Sequence, residues 1–418
     1  MKKVFYGWWM VGAAGAMQFV QGTLLLQSFG AYFAMLREDR GWSKTELSGA
    51  AALHQLEAAV LGPVIGWFID RFGAQGVLRT GVVLFGLGFI LLSYIDSLLQ
   101  FYGAFILLAL GASLSGFFPL NVALIHWFEK KRARALSTMQ FGMAAGGLAL
   151  PAVALAMATW GWRATAFTSG ILIIAICLPL SFVFKRRPED HGMRMDGEPP
   201  TVMETSHKGT KADDGTRDFT AREALRTPAF WLISLGHGFA LLVVQAINTH
   251  AITHMKEGLG YTLEQAAFAI TLQTVAQLAG VGIGAWIGDR YNKRVLSVYC
   301  MLGHASGLLF LTYATGPAMI GAYAILHGAA WGLRGPFMQA IRADYFGRSA
   351  IGMILGLSLM IIIIGQVGGP MIAGILADIT GNYRLGFTVL ALLAGLGSMF
   401  FLLARKPERP RSQARSAP

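Results

Sequence analysis

Two charged side chains lie in the middle of long apolar stretches of this chain, Arg334 and Glu57. A charge at the centre of a membrane-spanning helix costs about 2.5–3.5 kcal/mol on insertion scales, so each is by default a functional candidate. A guanidinium pairs with a carboxylate through two parallel hydrogen bonds, and a carboxyl in low dielectric takes up and releases protons. Arg334 therefore predicts an anion-binding group, and Glu57 predicts a proton-coupling group.

Arg334 shares one helix face with an aromatic and an imidazole side chain. Tyr323, His327, Trp331, Arg334 and Met338 are separated by 4, 4, 3 and 4 residues, which is helical spacing. We predict that Arg334, Trp331 and His327 bind a small carboxylate. The alternative is that Arg334 pairs with an internal carboxylate and holds two helices together.

Glu57 has a second titratable group beside it. His54 lies one turn earlier on the same helix face, and an unperturbed imidazole titrates near neutral pH. We predict proton coupling at Glu57, with His54 as the next candidate. The alternative is a protonated or paired Glu57 fixed at a helix interface.

Amide side chains at mid-depth of other apolar segments would line the same cavity. Because interhelical hydrogen bonds also use Asn and Gln, each amide alone is a weak indication. The predicted cavity amides are Gln18, Gln21, Asn121, Gln245 and Asn248.

The elements that must position these residues are membrane helices. Hydrophobic residues make up 55% of the chain and charged residues 13%, a balance that excludes a soluble domain. All spans should be helical, because lipid offers backbone groups no other partner. The twelve predicted spans are 5–36, 45–69, 76–95, 98–128, 133–159, 163–184, 228–255, 262–288, 294–315, 317–345, 349–379 and 384–404.

The charge distribution fixes the topology. The net charge is +12, and with the N-terminus inside, 27 of the 34 Lys and Arg residues lie on the inner side. This positive-inside pattern predicts both termini in the cytoplasm, most simply at a bacterial inner membrane, and argues against nucleic-acid binding. The two cysteines lie in different spans, so no disulfide, metal site or cofactor is expected.

The chain repeats itself at an offset of 219 residues, since 289 − 70 = 219. Asp70-Arg71 follows the second span, and Asp289-Arg290 follows the eighth. We predict a gating role for all four residues, with each carboxylate stabilising the N-terminus of a neighbouring helix. Two halves built on one plan are typical of secondary transporters, in which one site faces each side of the membrane in turn.

The repeat also divides the chain into segments. The expected segments are an N-terminal six-helix bundle (1–187), a cytoplasmic linker (188–227), a C-terminal six-helix bundle (228–405) and a cytoplasmic tail (406–418). Within the linker, Thr220 and Glu223 form the capping-box pattern that opens a short helix. The glycine-and-proline segments 146–151 and 365–370 should allow close packing and bending between the halves.

These features resemble the major facilitator superfamily. A narrower resemblance is to its monocarboxylate transporter and oxalate/formate antiporter branch. The motifs that carry it are Tyr6-Gly-Trp-Trp, Gly41-Trp-Ser-Lys-Thr-Glu-Leu-Ser48, Arg187-Pro-Glu-Asp-His-Gly, Thr227-Pro-Ala-Phe-Trp231 and Ala343-Asp-Tyr-Phe-Gly347. The resemblance implies twelve helices in two pseudo-symmetric bundles, a tenth helix beside the central cavity, and small carboxylates carried with protons. Those relatives usually place a basic residue in the eighth span, where this chain has Gln273 and Gln277.

The expected function is proton-coupled transport of a small organic anion, most simply a monocarboxylate, by a monomer in contact with lipid. The alternative is a proton-coupled antiporter that exports a neutral or cationic solute or drug. A sensor on the same fold would need a folded output domain, and the linker is too polar to be one. An enzyme is not expected, because the sequence shows no intramembrane nucleophile motif, metal cluster or phosphate loop.

Overall fold

The structure is a computed structural model that describes residues 4–42, 57, 60–198 and 217–411. The predicted coupling residue His54 and residues 199–216 of the linker lie outside the described residues.

In the described part, each half of the chain forms six long helices. Those of the first half are α1 (Tyr6–Gln21, extended by the π-helical turn Gly22–Gln27 and by Phe29–Arg40), α2 (60–72), α3 (Ala74–Leu92), α4 (Leu98–Ser115 and Phe117–Trp127), α5 (132–160) and α6 (162–181). Those of the second half are α7 (Pro228–Thr253), α8 (Leu263–Ile287), α9 (Lys293–Thr312), α10 (Pro317–Phe346), α11 (Ile351–Thr380) and α12 (Arg384–Leu403).

These helices confirm the predicted fold of two six-helix bundles, and of the second predicted span, 45–69, the structure describes residues 57 and 60–69. Among the described residues, nine helical stretches are long and apolar enough to cross a membrane. One of them, Arg132–Ser181, turns at Gly161, where φ is 77°, and so supplies both α5 and α6. Helices α2 and α10 complete the set.

The two halves repeat the same packing. In the first half, α1 packs on α5, and α3 packs on α4 and α6. In the second half, α7 packs on α11, and α9 packs on α10 and α12. Buried apolar side chains form one large core in each half, and few residues of either core come from the opposite half.

Glycines permit the close approach within each half. A Cβ on Gly146 of α5 would lie 2.8 Å from the carbonyl oxygen of Phe19 in α1, and a Cβ on Gly365 of α11 would lie 2.1 Å from that of Gly238 in α7. Both pairs obey the 219-residue offset. The expectation that these segments pack between the halves is wrong at Gly146 and Gly365, because both backbones lie against helices of their own half.

The linker is ordered at both of its ends. Thr220 and Glu223 form the predicted capping box, which opens the short helix Ala221–Leu225. Both ends of the described chain lie at one face of the molecule. There Phe5 packs against Phe128, and Arg217 N–H donates to the carbonyl oxygen of Pro410 at 2.9 Å. We call this side the terminal face.

We expect Gly365→Ala to destabilise the fold by about 1–3 kcal/mol, because the added methyl group overpacks the α7–α11 contact. The measurement is thermal unfolding of the purified protein. The control is Gly395→Ala on α12, where a Cβ would meet nothing within 4 Å. This control should be neutral or slightly stabilising, since Ala favours a helix over Gly. Equal melting temperatures for the two variants would contradict the packing described here.

Candidate functional site

Asp70, at the end of α2, bonds to the N-terminus of α11 in the opposite half. Its carboxylate accepts hydrogen bonds from the backbone N–H groups of Gly352 at 2.9 Å and Met353 at 2.8 Å. Burial raises the pKa of Asp70 to about 6, while the two backbone bonds and the charge of Arg187 act in the opposite direction. The backbone bonds and Arg187 favour the ionised carboxylate, whose charge faces the positive end of a helix.

Asp289, which follows α8, makes the matching contact with α5. Its carboxylate accepts from the N–H groups of Ala133 at 2.7 Å and Arg134 at 2.9 Å. Burial raises the pKa of Asp289, and the same two backbone bonds lower it. The residues bound by Asp289 and those bound by Asp70 differ in number by 219, so the repeat extends from the sequence to individual hydrogen bonds.

The two signature arginines do not share these contacts. The guanidinium of Arg71 lies 5.4 Å from the ring centroid of Trp67. The guanidinium of Arg290 lies 4.8 Å from the ring centroid of Trp286. Both arginines are exposed. Their gating role stays a prediction, and each stacks on an aromatic ring of its own helix.

Two linker carboxylates, which the sequence did not indicate, bind the loops just before α5 and α11. Asp196 accepts from the backbone N–H groups of residues 129–131 at 2.8–3.0 Å. Asp218 accepts from the N–H groups of Arg348 at 2.9 Å and Ser349 at 3.2 Å. These loops are also related by the 219-residue offset, so one aspartate binds each helix start and a second binds the loop just before it.

Ion pairs join the halves at the same face. Arg132 of α5 pairs with Asp344 of α10. Arg348, just before α11, pairs with Glu189 of the linker at 2.5 Å and donates to the carbonyl oxygen of His126 at 3.0 Å. Together with the bonds of Asp70 and Asp289, these contacts close the terminal face.

Arg334 is buried in α10 and turned toward α9. It is 1% exposed, and its Nε donates to Nε2 of His304 at 3.4 Å. His304 Nδ1 lies 3.1 Å from His327 Nδ1. Arg334 Nη1 and His327 Nε2 are buried and have no hydrogen-bond partner among the described residues. Trp331 is half-buried, with its ring 6.3 Å from that of His327. The structure thus brings the three predicted anion ligands together, beside a histidine that was not predicted.

Within the described residues no carboxylate pairs with Arg334. The alternative, in which Arg334 pairs with an internal carboxylate and holds two helices together, therefore has no carboxylate there to support it. Another buried arginine on the same helix differs in this respect. Arg342 donates twice to the hydroxyl of Ser358, at 3.0 and 2.7 Å, and once to the carbonyl oxygen of Met338 at 2.6 Å. Arg342 is bonded to the protein at all three of its nitrogen atoms, whereas Arg334 Nη1 has no acceptor among the described residues.

Glu57 lies between α2 and α4. Its Oε2 accepts from the hydroxyl of Ser113 at 2.9 Å, and its Oε1 is buried without a hydrogen-bond partner in the described part of the chain. A carboxyl with one free buried oxygen has room for a proton, which is compatible with the predicted coupling role and does not test it.

The amides of the first half cluster between α1 and α4. Gln18 is fully buried and donates to Gln21 at 3.5 Å, which donates to the carbonyl oxygen of Ala112 at 3.2 Å. Asn121 donates to the carbonyl oxygen of Phe117 in its own helix at 2.6 Å. Gln18 Oε1 and Asn121 Oδ1 are buried and lack a partner among the described residues.

The amides of the second half are more accessible. Asn248 is exposed, Gln245 is half-buried, and the two side chains are 3.5 Å apart on α7. They share a helix face as predicted, whereas the amides of the first half are packed into the protein.

Sequence reasoning missed three further polar groups near Arg334. His304 of α9 bonds to it, and His237 of α7 is buried with Nδ1 unpartnered in the described residues. Gln140 of α5 lies against Gly335, the neighbour of Arg334, and so faces α10 from the opposite half. The only signal available was a polar residue in an apolar span, which does not identify its partner.

Comparison with known proteins identifies the family to which this fold belongs. The family model described as Major Facilitator Superfamily matches residues 10–252 and 233–418. The chain is 25% identical to monocarboxylate transporter 13 of Bos taurus, over 97% of this chain and 93% of that protein. It is 24% identical to the probable sulfoacetate transporter SauU of Cupriavidus necator, over 91% of this chain and 92% of that protein.

Solved structures agree on the fold. The Escherichia coli fucose:proton symporter FucP superposes with a TM-score of 0.71 at 16% identity, over 96% of this chain and 98% of that chain. The proton:xylose symporter XylE gives a TM-score of 0.73 at 14% identity, over 95% of each chain.

Three findings agree on one fold: the twelve helices in two similarly packed halves, the paired aspartate contacts and these matches. The protein is an integral membrane transporter rather than an enzyme, and it belongs to the major facilitator superfamily, within its monocarboxylate transporter branch.

Proposed function

We propose that the protein moves a small organic anion, most simply a monocarboxylate, across the membrane together with protons. The observation that carries this proposal is the state of Arg334: a buried guanidinium with an unpartnered Nη1 and no carboxylate beside it in the described residues. An uncompensated buried charge is strongly destabilising. A bound anion would remove that cost, which would explain why an arginine occupies this buried position.

The names of the relatives support an anionic substrate. Bos taurus and Homo sapiens proteins at 25–26% identity are monocarboxylate transporters, and the Cupriavidus necator protein is a probable sulfoacetate transporter. Both substrate names denote carboxylates. In this chain Arg334 of α10 would take the place of the basic residue that such relatives usually carry in the eighth helix.

The closed terminal face supports alternating access. If this face is cytoplasmic, as the positive-inside pattern predicts, the structure corresponds to a state closed to the cytoplasm. Segments 1–187 and 228–405 would then move as two bodies about a substrate site, with 188–227 as the linker and 406–418 as the tail. We propose that one chain is the transport unit and that it resides in a bacterial inner membrane.

One observation favours the alternative, a proton-coupled antiporter for a neutral or cationic solute. Arg334 is turned toward α9 within its own half instead of toward α5. A guanidinium in that position would stabilise its own half instead of binding the substrate. Glu57, whose Oε1 has no partner in the part of the chain that the structure describes, would then be the main charged group available for coupling. The two candidates make opposite predictions for Arg334 variants.

For Arg334, we expect small carboxylates to raise the melting temperature of the purified protein and Arg334→Lys to reduce their affinity more than tenfold. Lysine keeps the charge but loses the planar pair of donors. The measurement is a thermal-shift titration with a panel of carboxylates at two pH values. The control is Arg342→Lys, which should lower stability and leave the affinity of the folded protein within about twofold, because its protein partners are complete. Unchanged binding by Arg334→Ala would remove the main support for an anionic substrate.

For Glu57, we expect Glu57→Gln to stop net transport driven by a pH gradient while exchange of labelled substrate continues. Glutamine mimics the protonated carboxyl, and exchange does not require the proton to leave. Both activities are measured in proteoliposomes. Loss of both would indicate a structural Glu57, and retention of gradient-driven transport would exclude it as the coupling group and make His54 the next residue to change.

For the gate, we expect Asp289→Asn to favour opening at the terminal face by about 1–2 kcal/mol, because the charge at the start of α5 is lost. The measurement is the rate at which a thiol reagent labels Ser137→Cys, a site fully buried between α5 and α8. The rate should rise about fivefold to thirtyfold. The control is Asp190→Asn, an exposed carboxylate in the linker. Equal labelling in both variants would contradict a gating role for Asp289.

A further inference from the structure

Hydrogen bonding determines where the protons lie in the line of nitrogen atoms formed by Arg334, His304 and His327, which we call the Arg–His chain. A guanidinium can only donate, so His304 Nε2, at 3.4 Å from Arg334 Nε, is an acceptor without a proton. The proton of neutral His304 is therefore on Nδ1, from which it is donated to His327 Nδ1 at 3.1 Å. His327 must then carry its own proton on Nε2.

Both free ends of the Arg–His chain are consequently donors. Arg334 Nη1–H and His327 Nε2–H are buried and unpartnered in the part of the chain that the structure describes. Two buried donors with no acceptor suit a ligand that only accepts hydrogen bonds. A carboxylate meets this requirement, whereas an ammonium group does not.

The lone pair of His304 Nε2 has two possible partners, the Nε–H of Arg334 and a proton from solution. The bond from Arg334 is long at 3.4 Å and therefore weak. Without a ligand, protonating His304 would place two positive charges side by side in a buried site, which is strongly unfavourable. An anion that draws Arg334 toward itself frees the lone pair and also offsets the added charge.

We infer that His304 is a proton-binding site filled together with the anion: the carboxylate binds Arg334 and His327, and a proton takes the Nε2 lone pair of His304 that Arg334 releases. The inference rests on the proposed anion transport and assigns the link between anion and proton to the C-terminal half. Glu57, in the N-terminal half, would hold a separate proton that governs the return of the empty carrier.

Other titratable and charged groups face the Arg–His chain from the helices around it. In the described residues these are Cys300 on α9, Tyr323 and Arg342 on α10, and His237 on α7. Tyr323 donates to Gln273 of α8, and Arg342 is bonded to Ser358. None of these groups is a carboxylate, so an anion brought in from outside would be the nearest negative charge.

The test is the number of protons taken up per anion bound. L-lactate and sulfoacetate are titrated calorimetrically into the full-length protein between pH 6 and pH 8, in buffers that differ in their heat of ionisation. We expect the wild-type protein to take up close to one proton per anion over part of this range, with affinity rising up to tenfold per unit of falling pH. In His304→Gln, whose amide oxygen can still accept from Arg334, the anion should bind with no proton uptake.

Two further variants complete the experiment. His327→Gln should bind the anion more weakly and keep the proton uptake, because the proton is on His304. Glu57→Gln should keep both binding and uptake, and it keeps the inference open to contradiction if His304→Gln does not fold. Anion binding without proton uptake in the wild-type protein, uptake that persists in His304→Gln, or uptake lost in Glu57→Gln would overturn the inference and leave anion transport standing. No binding of either anion would overturn both.

Discussion

The free backbone N–H groups at the starts of α5 and α11 are the constraint around which the terminal face is organised. A helix start leaves four N–H groups without intrahelical partners, and burying them unpaired is costly. Here each start faces one carboxylate from the opposite half, Asp289 or Asp70, and the loop just before it faces one from the linker, Asp196 or Asp218. Because the first pair spans the halves and the second does not, separation of the halves would break only the former. The linker aspartates would keep the loop before each helix in place while the face is open.

In the interior of the protein, by contrast, some buried polar groups have no partner among the described residues. Most buried polar groups find partners close by, as Arg342 does with Ser358 and Met338. Arg334, His304 and His327 instead bond to one another, and Arg334 Nη1 and His327 Nε2 have no partner among the described residues. In a low-dielectric interior such groups are costly to leave unpaired, and on this ground we propose that an anion binds there and changes the protonation of the site. In the function proposed here, closure of the terminal face gives the N–H groups of the helix starts their partners, and a bound anion does the same for the Arg–His chain.

The sequence predicted the features that follow from periodicity and internal repetition. Helix spacing placed Tyr323, His327 and Arg334 on one face, and the 219-residue offset related Asp70 to Asp289. It did not predict Asp196 or Asp218, because a carboxylate in a loop has no periodic pattern and its partners are distant in the chain. It also could not reveal that His304 faces Arg334: spacing relates residues of one helix to each other, and the rotation of α10 against α9 is set by packing. The same limit explains why Gly146 and Gly365 were assigned to contacts between halves when they pack within them.

The central claim is that a small organic anion and a proton cross the membrane together. The direct measurement is uptake of radiolabelled L-lactate and sulfoacetate by proteoliposomes that contain the purified protein, with an inwardly directed proton gradient. The account predicts accumulation of at least one of these anions above its equilibrium level, and loss of that accumulation when a protonophore removes the gradient. Failure to accumulate any carboxylate, with a neutral or cationic solute exchanging against protons across the same vesicles, would contradict it.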